Sequence, residues 1–126
     1  MSPNKAVPNP TDPMASVKYE ADYRKRLAET DEYRVTEFRV SPGQQSPWHF
    51  HTTTSDIFYV LAGNLKLLLA DPSEVVNLGA GQSLQITSGR AHKFEAGETE
   101  GAHYLLIQGV GQPDFVVVDT ESKRQV

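Results

Sequence analysis

From Val17 onward apolar and polar residues exchange over short distances, and no apolar stripe of 3.6-residue period persists for the length of a helix. Clusters of glycine, proline, serine, asparagine and aspartate break the pattern every few residues, as short strands joined by turns require. The segment YRVTEFRV sets Tyr33, Val35, Glu37 and Arg39 on one face and Arg34, Thr36, Phe38 and Val40 on the other. The runs IFYVL and LKLLL are apolar on both faces, which suits strands covered on both sides.

This punctuation predicts an edge strand over 17–20 and a hairpin of Tyr23–Glu29 and Tyr33–Val40 around Thr30, Asp31 and Glu32. A short helix over 20–29 is the alternative for the first arm. Strands follow at Trp48–His51, Asp56–Leu61, Leu65–Ala70, Val75–Asn77, Ser83–Thr87, Ala91–Ala96, His103–Gln108 and Phe115–Asp119. Gly63 and Asn64 read as a tight turn between two of them. So many short strands at close spacing indicate an all-β sandwich or barrel. Phe58, Val60, Leu65, Leu67, Leu84 and Ile86 are its expected core.

Composition bounds the rest. The 126 residues suit one domain. Residues 1–15 hold four of the eight prolines and little to bury, so they read as a flexible tail. The domain then runs over 16–120, and 121–126 read as a frayed end. A net charge of −4 gives no electrostatic case for nucleic acid or an anionic membrane. No apolar run approaches the roughly 18–20 residues that span a bilayer, and the N-terminus lacks a signal-peptide core. A cytoplasmic protein is expected. The absence of cysteine excludes disulfides, thiolate metal sites and cysteine nucleophiles.

Candidate chemistry is concentrated in histidines. His49 and His51 share a face of an extended segment, and Asp56 follows five residues later. His92 sits in a second glycine-bearing segment. Imidazole is the commonest protein metal ligand, and a carboxylate adds charge and an oxygen donor. A metal held inside a β-barrel is the reading these residues support.

The spacing carries a family likeness. Gly43, five residues, His49-Phe50-His51, four residues, Asp56, six residues and Gly63 resemble the first motif of the cupin superfamily, where glutamate usually stands at the place of Asp56. Gly81, Gly89 and His92 resemble its second motif, with Thr87 replacing a proline and Ala96 an asparagine. The resemblance implies a cupin-type double-stranded β-helix, or jelly-roll barrel. It also implies one divalent metal ion (Fe, Mn, Ni, Co or Zn) bound by His49, His51, Asp56 and His92. Four ligands on a six-coordinate ion leave two positions open, which points to catalysis on a small organic molecule of dioxygenase, isomerase or lyase type. A non-catalytic module that binds or senses a small molecule or metal is the alternative.

Aspartate is one methylene shorter than glutamate, so Asp56 either ligates directly, or orients a ligating histidine, or does neither and leaves a three-histidine site. His103 and Arg90 read as surface or turn residues, with the alternatives that His103 faces the pocket and that Arg90 pairs with a substrate carboxylate or phosphate. Tyr104, His103, Glu95 and Gln85 are the few candidates for acid–base work in the lumen. Trp48 and Phe50 alternate away from the histidines, and Tyr59, Leu61 and Leu68 share such outer positions. A homodimer that covers this apolar surface is expected.

Overall fold

The computed structural model describes residues 19–118. The predicted tail, the frayed end, Asp119 and the first two residues of the 17–20 strand lie outside them. Tyr19 and Glu20 form no strand; the Glu20 amide instead bonds the Gln45 carbonyl at 3.2 Å.

The described chain is all strand: β1 (Tyr23–Glu29), β2 (Tyr33–Val40), β3 (His49–Phe50), β4 (Ser55–Leu69), β5 (Glu74–Gly79), β6 (Ser83–Ile86), β7 (His92–Ala96), β8 (Ala102–Gly109) and β9 (Val116–Val117). Every pairing is antiparallel, in the order β1-β2-β8-β4-β7-β3-β9, with β5 and β6 also on β4. The arrangement is the jelly-roll barrel expected from the sequence. The hairpin of β1 and β2 forms as predicted, and the helical alternative over 20–29 does not.

The two strands expected on either side of Gly63 and Asn64 are one. β4 runs unbroken from Ser55 to Leu69 and belongs to both sheets. Its first half pairs with β6 and β8, and its second half with β5 and β7. A register shift between Val60 and Ala62 bends the strand at the crossing. Gly63 has φ +82°, and a Cβ there would lie 2.0 Å from the Gly101 carbonyl oxygen. The glycine therefore serves a corner where two backbones touch. Long-range ladders on both halves outweigh the local turn signal.

The inner faces alternate as the sequence pattern requires. Thr36, Phe38 and Val40 of β2 point inward, as do Ala102, Tyr104, Leu106 and Gln108 of β8. Phe58, Val60, Leu65, Leu67, Ile86 and Phe94 complete the core, with Leu84 packed against it. β3 and β9 are shorter than predicted: His51 leaves the ladder after Phe50, and Phe115 precedes β9. Both residues instead turn toward the barrel interior.

Candidate metal centre

Four buried side chains meet at one end of the barrel. His49 on β3 and His92 at the start of β7 are direct cross-strand partners, with ring centroids 4.4 Å apart. Asp56 enters from the first half of β4, on the other sheet. His51 comes from the segment joining β3 to β4, which the Gly89 amide clamps through a 2.7 Å bond to the His51 carbonyl. One nitrogen or oxygen from each of the four lies within 4.8 Å of all the others.

Hydrogen bonding at the far side of each ring fixes its protonation. His49 Nδ1 bonds the Pro47 carbonyl and His92 Nδ1 the Arg90 carbonyl, each at 2.8 Å, and His51 Nδ1 bonds the Asp114 carbonyl. A carbonyl only accepts, so each Nδ1 carries the proton. In its neutral form each ring then turns the lone pair of Nε2 into the cluster. Asp56 Oδ2 lies 3.0 Å from His51 Nε2 and 3.1 Å from His92 Nε2. Lone pairs thus face a carboxylate, which is unfavourable unless a cation sits among them. His51 Nε2 is buried without a hydrogen-bond partner, because its approach to Asp56 lacks hydrogen-bond alignment. An orphaned nitrogen beside a buried carboxylate, in an N/O donor set of four, fits a divalent metal ion.

Proton affinities agree with that charge pattern. Burial, assisted by the neighbouring His92, lowers the His49 pKa to about 3. Burial alone would lower His51 as well, but the Asp56 carboxylate outweighs it and raises that pKa. Burial would raise Asp56, yet the adjacent His51 and His92 rings hold it well below the usual carboxylate range.

Of the acid–base candidates only Tyr104 reaches the interior. It is fully buried, and its hydroxyl lies 3.0 Å from that of Tyr19. Burial pushes both phenols far above their ordinary pKa, so they stay protonated. His103 lies on the outer face and pairs with Glu37 at 2.5 Å. Glu95 faces Lys66 and Lys93, and Gln85 is exposed. Arg90 is spent on the turn, bonding the Ala70 and Pro72 carbonyls and Glu74. Phe50, Thr87, Ser88 and Arg90 line a depression of about 540 Å³, and none of the four cluster residues lines it.

Three contributors escaped the sequence reading. Phe115 stacks on His49 at 4.3 Å between centroids, and Tyr19 meets the same ring edge-on at 6.2 Å. Gln108 donates to Asp56 Oδ1 at 3.1 Å. The alternation of β8 carried a signal for Gln108, since it shares the face of Tyr104. Nothing in the local pattern marked Phe115 or Tyr19.

A model of the cupin domain family matches residues 36–108. No curated protein sequence matches the chain. Among solved structures, the polyketide cyclase RemF from Streptomyces resistomycificus is similar at 28% identity, with a TM-score of 0.68 and coverage of 83% of this chain and 82% of that one. A Klebsiella pneumoniae protein with a double-stranded β-helix domain is 20% identical, with TM-score 0.68 and 90% of each chain covered. The oxalate decarboxylase of B. subtilis is also 20% identical with TM-score 0.69, over 83% of this chain but only 31% of the larger enzyme.

Proposed function

The chain belongs to the cupin domain family, and we propose that it holds one divalent metal ion through His49, His51, Asp56 and His92 and acts on a small organic molecule. The observation that carries this reading is the convergence of three Nε2 atoms on a buried carboxylate. When bound, such an ion supplies Lewis acidity and acidifies a bound water. The chain contributes the surroundings. Phe115, Tyr19 and Phe58 wall the site with aromatic surface, which excludes water and strengthens electrostatic interactions inside. The Tyr19–Tyr104 pair shares one hydrogen bond between two hydroxyls, so one phenolic proton stays available for an oxygen of a bound molecule. Dioxygenase, isomerase or lyase chemistry fits this equipment, and the likeness to a polyketide cyclase favours a polyketide-like substrate.

One observation favours a second reading, a binding or sensing module. Glu95, Gln85 and His103 all lie away from the lumen, leaving Tyr104, with Tyr19, as the acid–base equipment beside the cluster. Metal analysis of the purified protein, followed by a screen for oxygen consumption and product formation with diketones and phenols, separates the two. Turnover supports the enzyme. A metal-replete protein inert across these classes supports the module, and a protein that takes up no divalent ion overturns both.

A homodimer belongs to the same reading. The outer face of β2, β8 and β4 carries Tyr33, Tyr59 and Leu61, which are 45%, 37% and 39% exposed in the single chain. Large apolar side chains exposed on one sheet face suit a surface that a second copy covers.

A further inference from the structure

We infer that Gln108, itself fixed by Arg34, is a positioning residue that holds the Asp56 carboxylate so that a single oxygen, Oδ2, faces the metal site. The inference rests on the reading of His49, His51, Asp56 and His92 as metal ligands.

The register sets up the arrangement. Gln108 of β8 stands directly opposite Asp56 of β4 on one side and Arg34 of β2 on the other. The three residues form one row across three neighbouring strands. A one-residue slip of either pairing would break the row. Arg34 Nε donates to Gln108 Oε1 at 2.9 Å. A guanidinium only donates, so the amide oxygen must face Arg34 and the amide nitrogen must face Asp56. Gln108 Nε2 accordingly donates to Asp56 Oδ1 at 3.1 Å. That occupies one carboxylate oxygen and leaves Oδ2 to the histidines, 3.0 and 3.1 Å from their Nε2 atoms.

The short side chain at position 56 makes the arrangement possible. Cβ atoms directly opposite each other across an antiparallel pair are about 4.5–5.5 Å apart. An aspartate keeps its carboxylate near its own strand, where a glutamine on the next strand reaches it. Asp56 and Gln108 are 1% and 5% exposed, so no water substitutes freely for the amide. The donor is neutral, so it orients the carboxylate without cancelling the charge a cation needs. Partners of this kind around a metal ligand are commonly worth about 10–100-fold in metal affinity.

The test uses Co(II) and Mn(II) as probes on the full chain and on two variants, Q108M and Q108N. Methionine keeps the volume and removes the donor. Asparagine keeps the amide but is too short to span both partners. Both variants should bind Co(II) about 10–100-fold more weakly. Their Co(II) visible bands and Mn(II) paramagnetic resonance should shift, because the carboxylate is then free to rotate. Circular dichroism and melting of the metal-free proteins check folding, and one folded variant suffices. Affinity and spectra equal to those of the unaltered protein would overturn the assignment and leave the metal reading standing. An unaltered protein that binds neither ion would overturn both. If neither variant folds, the amide serves the barrel and the assignment falls.

Discussion

His49 and His92 stand opposite each other across β3 and β7, and their backbone pairing brings the two rings to 4.4 Å between centroids. Two motifs distant in sequence are thereby joined in one ladder. If the pair holds a metal, neither ring is dispensable. His49→Ala and His92→Ala should each lose most of the bound metal, as read by elemental analysis after dialysis against Zn(II) or Mn(II). Unchanged stoichiometry in either variant would refute the site.

Metal affinity should rise with pH through the His51 pKa. His49 is already neutral, since its pKa lies at about 3, and Asp56 is held ionised. His51 is raised above its usual value of about 6.5, so without a metal it gives up its proton at a higher pH than a free imidazole does. An incoming ion must displace that proton. Affinity therefore falls as pH drops below the folded His51 pKa and levels off above it. Titration calorimetry in buffers of different ionisation enthalpy should detect proton release on metal binding below the folded His51 pKa and none above it. In the metal-free protein the raised His51 pKa acts in the opposite sense: its stabilising contribution is full below about pH 6.5 and is lost as pH rises through the folded value.

Phe115→Ala should loosen the site without removing a ligand. The ring is 7% exposed and stacked on His49. Truncating a buried phenylalanine costs about 3–5 kcal/mol when the neighbours do not close the gap. Melting should report that loss, and chelator challenge of the metal-loaded variant should show faster metal release. An unchanged release rate would mean that the ring does not guard the ion.

Gly63→Ala should be among the most damaging exchanges. The position combines φ +82° with a backbone oxygen 2.0 Å from the added Cβ. A loss of about 3 kcal/mol or more is expected. A denaturant midpoint equal to that of the unaltered protein would show that the corner is not constrained.

Leu61→Glu should produce a monomer if the outer sheet face is a dimer contact. Leu61 is 39% exposed in the single chain and lies at the bulge of β4. Sedimentation at about micromolar concentration reads the outcome, since an apolar face of this kind should associate. A monomeric unaltered protein would dispose of the dimer.

Much of this was legible along the chain. Alternation in YRVTEFRV gave the inner face of β2, whereas Gln108 went unread although it shares the inner face of β8 with Tyr104. The histidine spacing identified His49, His51 and His92, and the carboxylate five residues after His51 proved to be at the cluster despite its shorter reach. Gly63 and Asn64 misled, because a turn signal reports local preference only. Ladders to β8 on one side and to β5 and β7 on the other hold the strand extended through that point.

The sequence by itself determined the strand periodicity, the identity of the donor atoms and the absence of thiol chemistry, because each is a property of residues taken singly or a few positions apart. Only the tertiary structure decided that Asp56 meets the histidines from the opposite sheet, that Gln108 and Arg34 align behind it, and that Phe115 and Tyr19 cover His49. Those relations depend on register and on which distant segments pack together. Both are set by burial of the whole apolar face, a sum over many residues that no short stretch of chain contains.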